Sequence, residues 1–352
     1  MKRITLMMFM LLLAVFSFAG CGGTGNNATK KEEAPKLKIV ATIFPEYSWI
    51  KEIVGEQGKN ADLTMLAKKG VDLHSYQPSA EDILKIVNCD LVIYVGGESD
   101  EWVEKALREG NNPRRKVINL MKLLGERVRV EETVEGMEKE EHHAHGDKER
   151  HEEKEKHDEH HGKEGKHDEH HDEAEYDEHV WLSLKNADVI CKAIAEELSA
   201  LDQKNAAAYR ANSEAYRKKL AALDGQYKDV ITKAPVKVVL FGDRFPFRYL
   251  TDDYGLKYYA AFKGCSAETE ASFETVAFLA GKTDELKLPA VLTIEGRQHK
   301  LAQTIVDNTK SKNQKILTLN SMQSVTEEEI KDGASYLKIM ADNLKVLKEA
   351  LQ

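Results

Sequence analysis

Residues 37–110 read LKIVATIFPEYSWIKEIVGEQGKNADLTMLAKKGVDLHSYQPSAEDILKIVNCDLVIYVGGESDEWVEKALREG. Three segments, "LKIVATIF", "ADLTMLA" and "CDLVIYVG", are short apolar runs rich in Ile, Leu and Val. The stretches between and after them, "YSWIKEIVG", "AEDILKIVN" and "DEWVEKALREG", space their apolar residues three or four apart. Continuous runs suit strands buried on both faces, and the helical period suits elements that cover such strands. Strand, helix, strand, helix, strand, helix therefore predicts a parallel sheet flanked by helices. The alternation returns late in the chain, with "VKVVLF" at 236–241, "LKYYAAF" at 256–262, "SFETVAFLAGKTDE" at 272–285, "AVLTIE" at 290–295, "KLAQTIVDNT" at 300–309, "KILTLN" at 315–320 and a last helix from 334. The fold class is α/β in two lobes, 37–130 and 234–352, each with a mostly parallel sheet. A chain of 352 residues accommodates two domains of roughly 100–200 residues.

Residues 177–233 are helical in pattern and link the lobes. Tyr209, Tyr216, Leu220, Leu223, Tyr227 and Val230 recur at steps that keep them on one face. With Asp202 as its N-cap, this helix would be a rod of ~45 Å at 1.5 Å per residue. One long rigid helix would limit opening of the lobes.

The N-terminus, MKRITLMMFMLLLAVFSFAG at 1–20, has a positive start and a short apolar run, the pattern of an export signal. It ends in Phe18-Ala19-Gly20-Cys21, which resembles a bacterial lipobox and makes Cys21 the expected lipidation site. Two or more acyl chains would anchor the chain stably to a membrane. Residues 21–36 are Gly-, Asn- and Lys-rich and form a flexible tether of ~20 Å reach. The chain is thus expected on the extracytoplasmic face of a membrane. Cys89, Cys191 and Cys265 permit at most one intramolecular disulfide, so cysteines do not staple the fold. A net charge of −9 offers no basic stripe for phosphates, which excludes nucleic acid as a partner.

Residues 131–176 depart from all of this. The segment is made of His, Glu, Asp, Lys and Gly, repeats KHDEHH at 156–161 and 166–171, and cannot bury enough apolar surface to order itself. It carries His142, His143, His145, His151, His157, His160, His161, His167, His170 and His171. Clustered imidazoles among carboxylates provide many exchangeable sites for zinc-like ions. A mobile chain does not fix ligand geometry, so a specific site must lie in the folded part. His74 follows the strand "DLTML", at the end of the sheet that faces the crevice in parallel α/β folds. His179 stands where the polar insert gives way to Val180, Trp181 and Leu182. Trp181 is expected to pack behind it and fix its orientation.

"GVDLHSYQPSAED" (70–82), "DEHVWLS" (177–183), "FGDRFPF" (241–247), "TIEGRQHKLAQTI" (293–305) and "YLKIMADNLKVLKEAL" (336–351) together resemble the zinc and manganese substrate-binding proteins of ABC transporters, the ZnuA and TroA-like family. The resemblance runs in order through nearly all of 37–351. It implies two lobes joined by a long helix, with one transition-metal ion between them, and a histidine-rich loop before the second ligand. By position, His74 matches the first ligand, His179 the second, and Glu295 the acidic ligand of many members. Members usually read Phe-His-Asp where this chain reads Phe241-Gly242-Asp243, so one ligand is absent. Three accounts stand open. His74, His179 and Glu295 could suffice with an open position; Asp243, Cys265, Glu268 or Glu270 could replace the missing group; or the lobe could be repurposed, with Arg244 contacting an acid or an anion.

The function implied is capture of a divalent transition metal, Zn(II) in the first place and Mn(II) as the alternative, for delivery to an ABC permease served by a separate ATPase chain. A monomer is expected. A surface metal buffer or adhesin, with the histidine loop as its main binding element, is the competing reading. An enzyme is not expected, since the chain contains neither H-E-x-x-H nor G-x-S-x-G. Histidine density favours zinc over the harder manganese ion, which prefers oxygen.

Overall fold

The structure, a computed structural model, describes residues 36–138 apart from 69 and 111, then 175–266, 270–296 and 299–352. The export signal, the tether through residue 35 with Cys21, the ten clustered histidines and Glu268 lie outside these residues.

The first lobe runs β1 (Leu37–Ala41), α1 (Phe44–Val54), β2 (Ala61–Met65), α2 (Ala80–Val87), β3 (Leu91–Tyr94), α3 (Trp102–Glu109), β4 (Lys116–Asn119) and α4 (Leu120–Leu124). Two helices follow, α5 (Leu184–Leu201) and α6 (Ala206–Lys233). The second lobe runs β5 (Val238–Phe245), α7 (Arg248–Tyr254), β6 (Lys257–Lys263), α8 (Phe273–Glu285), β7 (Ala290–Ile294), α9 (Lys300–Asp307), β8 (Lys315–Leu319), α10 (Glu327–Lys331) and α11 (Tyr336–Ala350). The sheets have orders β2-β1-β3-β4 and β6-β5-β7-β8, and every pairing between these strands is parallel. In each sheet the chain first steps to one side of its opening strand and then to the other. A crevice opens at the carboxyl ends where those two steps diverge.

Local chemistry explains the elements. All four residues of β3 are buried, as expected for a strand covered on both faces. Helix α1 starts with Pro45 in its first turn, and Glu46 reaches back to accept from the Thr42 and Ile43 amides at 2.7 and 3.2 Å. Its Trp49, Ile50 and Ile53 are wholly buried.

One apolar cluster runs from Ile39, Trp49 and Trp181 to Phe241, Leu292 and Tyr336, so the two lobes share a core. Tyr336 of the second lobe packs edge-on against Trp49 of the first at 4.9 Å. Its amide donates to Ser48 Oγ at 3.0 Å and its hydroxyl to the Trp181 carbonyl at 2.7 Å. Helix α6, 28 residues and about 42 Å long, lies along both lobes. Asn212 donates to the Ile53 carbonyl at 3.0 Å, and Tyr227 donates to the Met340 carbonyl at 2.6 Å.

Two boundaries differ from those expected. Asp202 closes α5 instead of opening α6: its carboxylate accepts from Asn205 Nδ2 at 2.6 Å and Tyr209 Oη at 2.8 Å, which holds the turn and delays the long helix to Ala206. The insert is also folded at both edges. Val130 bridges Tyr176, the Glu131 amide donates to the Glu175 carbonyl at 2.8 Å, and the Glu138 amide donates to the Ala261 carbonyl at 2.9 Å. Met137 is buried and Arg248 pairs with Glu132. Residues 131–138 thus gain order by docking on the second lobe, which composition alone does not register.

Candidate metal centre

Three segments bring a donor atom to one place. Asp72 ends the loop after β2 and accepts from the His74 amide at 3.0 Å, capping the short turn Leu73–Ser75 that aims His74 at the second lobe. Asp177 does the same for His179, accepting from its amide at 2.8 Å just before the turn Val180–Leu182. Cys265 follows the carboxyl end of β6. One ligand atom each from His74, His179 and Cys265 lies within 4.8 Å of the other two. His74 Nε2 and His179 Nε2 are 3.1 Å apart. Two nitrogens on a tetrahedral zinc at 2.0–2.1 Å would be about 3.3 Å apart, so the spacing suits that ion.

The outward nitrogens are engaged. His179 Nδ1 faces Asp177 Oδ1 at 2.9 Å, and the Asp177 carbonyl accepts from Tyr249 Oη at 2.7 Å. His74 Nδ1 faces Ser99 Oγ at 2.7 Å, with Glu178 Oε2 at 3.7 Å. Glu178 accepts from the Ser99 amide at 3.0 Å through its other oxygen. A carboxylate can only accept, so Nδ1 of His179 carries its proton and Nε2 is directed at the metal position. Behind His179, the Trp181 ring stands edge-on at 5.2 Å, pinned by its Nε1 donating to the Ser321 carbonyl at 2.8 Å.

Electrostatics divide the two rings. Burial lowers the His74 pKa, and proximity to His179 lowers it further, to about 3. Burial would also depress His179, but Asp177 outweighs it and raises that group. The contact between the two Nε2 atoms at 3.1 Å is a hydrogen bond through one proton, which a bound cation would displace. Burial and the nearby Glu131, Asp177 and Glu178 carboxylates push the Cys265 thiol up. A coordinated cation inverts that balance and deprotonates the thiol. A cleft of about 1050 Å³ adjoins the trio, lined by His74, Cys265, Glu98, Glu101, Tyr176 and Glu178 among others.

Among the described residues, none of the other candidates belongs to the trio. Glu295 does not join the trio: its oxygens accept from the Ser321 amide at 2.6 Å, Ser321 Oγ at 2.8 Å and the Gln323 amide at 3.1 Å, so it fastens the loop after β8. Asp243 accepts from the Arg244 amide at 2.9 Å and, across the sheet, from the Ile294 amide at 3.3 Å. Glu270 is exposed. At Gly242 a Cβ would stand 2.6 Å from Ala302 Cα, because α9 packs directly on the strand. No side chain fits there without moving the helix. Asp177, Glu178, Ser99 and Gly264 also build the surroundings of the trio, beyond the residues expected from sequence. A Cβ on Gly264 would stand 3.0 Å from His179 Cε1, so this glycine lets the Cys265 backbone approach the ring. The visible signal was the run Asp177-Glu178-His179, with two carboxylates beside the histidine.

A family model described as zinc-uptake complex component A, periplasmic, matches residues 39–350. The zinc-binding lipoprotein AdcA of Streptococcus pneumoniae serotype 4 is 32% identical over 349 residues, covering 99% of this chain and 61% of its own. The chain thus spans about three fifths of the length of that relative. The high-affinity zinc uptake system protein ZnuA of Bacillus subtilis is 29% identical over 344 residues, covering 98% of this chain and 97% of its own. The crystal structure of the Zn(II)-bound ZnuA-like domain of S. pneumoniae AdcA matches with a TM-score of 0.65 at 27% identity, covering 90% of this chain and 99% of that one. TroA of Treponema pallidum, a periplasmic zinc-binding protein, matches with a TM-score of 0.66 at 22% identity, a likeness of fold.

Proposed function

Because the chain belongs to the ZnuA family of zinc-uptake components, we propose that it is an extracytoplasmic receptor that captures Zn(II) between its lobes and hands it to an ABC permease. The observation that carries this reading is the convergence of His74, His179 and Cys265, from three separate segments, within 4.8 Å. Two imidazoles and a thiolate form a donor set suited to zinc, with a fourth position left for water or another group. Sulfur disfavours Mn(II), which prefers oxygen donors. On this reading Cys265 replaces the histidine that relatives carry where Gly242 stands, and the donor moves from the end of β5 to the end of β6.

Metal arrives through the cleft as hydrated cation or from the histidine-rich segment. It displaces the proton between the two Nε2 atoms and the proton on Cys265, while Asp177 and Ser99 keep the rings oriented. The shared core favours a site that is largely assembled before capture, so release falls to the permease, which must strain the arrangement. Lipidation at Cys21 would keep the receptor beside that permease, and a separate ATPase would power transport. We read the chain as a monomeric binding protein, not an enzyme.

The test is calorimetric titration of residues 36–352 lacking 139–174 with Zn(II) and Mn(II), beside His74→Ala and Cys265→Ser. One tight Zn(II) site weakened at least tenfold by either substitution supports the reading. Absence of saturable binding in the unsubstituted protein would sink it.

A further inference from the structure

Arg244 directly follows Asp243 in the stretch read for a metal ligand, and the structure gives it partners on both sides of the inter-lobe crevice. It sits near the end of β5, after an irregularity in the pairing with β6 between Phe241 and Arg244. Its Nη2 donates to Asp72 Oδ2 in the first lobe at 2.7 Å. Its Nη1 donates to the Ser266 carbonyl in the second lobe at 3.3 Å. Asp72 is the residue whose other oxygen caps His74, and Ser266 directly follows Cys265. The ion pair is largely shielded, with side-chain exposures of 20% and 18%. It is therefore less screened than a surface pair. A third group secures the same carboxylate. With its amide nitrogen turned toward the first lobe, Gln323 donates to Asp72 Oδ1 at 2.9 Å.

A positive charge near a cation site weakens capture unless it does something else. Here Asp72 neutralises it, and the planar fork of the guanidinium holds two acceptors through two nitrogens in a fixed geometry that an ammonium, a point charge on a flexible stem, does not impose. Resting on the ligand set proposed above, we infer that Arg244 is a positioning residue: one guanidinium ties the His74 turn to the Cys265 loop and sets the distance between donors from opposite lobes. The lobe that lacks a ligand at Gly242 thus contributes a bracket from two residues further along the same strand. The bracket slows metal release, because His74 and Cys265 part only once Arg244 lets go of Asp72 or of Ser266.

The test uses the full chain loaded with Co(II), whose thiolate charge-transfer band reports coordination by sulfur and is blind to the histidine-rich segment. Decay of the band on adding excess chelator gives the release rate for the unsubstituted chain, Arg244→Ala, Arg244→Lys, Asp72→Asn and the Asp72→Asn/Arg244→Ala pair. Arg244→Ala is expected to release Co(II) about tenfold faster or more, with the band position unchanged because the ligands are the same. Arg244→Lys should recover only part of the loss, and the double substitution should be no faster than the faster single one. Thermal unfolding of each metal-free variant shows whether it is folded. Wild-type release from a folded Arg244→Ala, or full additivity in the pair, would overturn the bracket. A band that is missing from the unsubstituted chain, or that survives Cys265→Ser, would overturn the ligand set instead.

Discussion

Cys265 reaches the site because the residue before it has no side chain. A Cβ on Gly264 would press on the Phe245 carbonyl at 2.9 Å as well as on the His179 ring. Gly264→Ala should therefore displace the thiol and lower zinc affinity roughly tenfold, about 1.4 kcal/mol, while leaving all three donors present; titration against a competing chelator measures it. Glu295 makes the opposite case. It has the chemistry of a ligand but serves Ser321 and Gln323, and Ser321 is completely buried. Glu295→Gln should cost about 1–3 kcal/mol in unfolding free energy, the range for leaving buried polar groups unsatisfied, with one zinc still bound per chain. Loss of the zinc site in a folded Glu295→Gln would return the carboxylate to the ligand set. These two residues mark how far a single sequence reads at a site. The juxtaposition of His74 with His179 was legible because both stand at chain positions that open on the crevice. Cys265 was one of four substitutes for the absent histidine, since the 22 residues between Gly242 and Cys265 include a helix and a strand and have no metal-ligand spacing. Glu295 shows that residue type records what a group can bind, not which neighbours already occupy it.

At the level of elements, β5 and α9 meet backbone to backbone at Gly242 and Ala302. Placing at Gly242 the histidine that the family resemblance implies, by Gly242→His, should therefore destabilise the protein by about 1–3 kcal/mol, the cost of overpacking, without tightening zinc. Denaturant unfolding and zinc titration decide it, and a stable variant with tighter zinc would show that α9 yields. The turn after β3 offers a pH prediction. Asp100 is fully buried and accepts from the Val95 and Gly96 amides at 2.7 and 2.8 Å. Burial raises its pKa to about 7, above the unfolded value of about 3.9. A raised acid binds its proton more tightly in the folded state, so its contribution is complete below about pH 4 and is lost as pH rises through about 7. Asp100→Asn should remove that component of the slope in a plot of metal-free stability against pH, and an unchanged slope would refute it. The strands and helices themselves were legible because continuous and three-to-four spaced apolar runs are direct records of burial. The start of α6 was not, because Asp202 suits either end of a turn and only Asn205 and Tyr209 decide which.

For the whole molecule, two sheets of identical order share one apolar core and one long helix, so the lobes behave as a unit. Calorimetry of the metal-free protein should give a single unfolding transition, and zinc should raise its midpoint with concentration by mass action. Two resolved transitions would mean that the core does not couple the lobes. Such a frame suits a receptor whose donors are already close before the cation arrives: each lobe presents an end of its sheet, Arg244 spans the gap, and His179 enters from the segment between the lobes. Whether His179 and Cys265 share one ion with His74 is decided by zinc K-edge X-ray absorption on the zinc-loaded protein lacking 139–174. The expected spectrum has one sulfur near 2.3 Å and two imidazole nitrogens near 2.0–2.1 Å, with the sulfur shell lost in Cys265→Ser. A shell of nitrogen and oxygen alone, unchanged by that substitution, would contradict it.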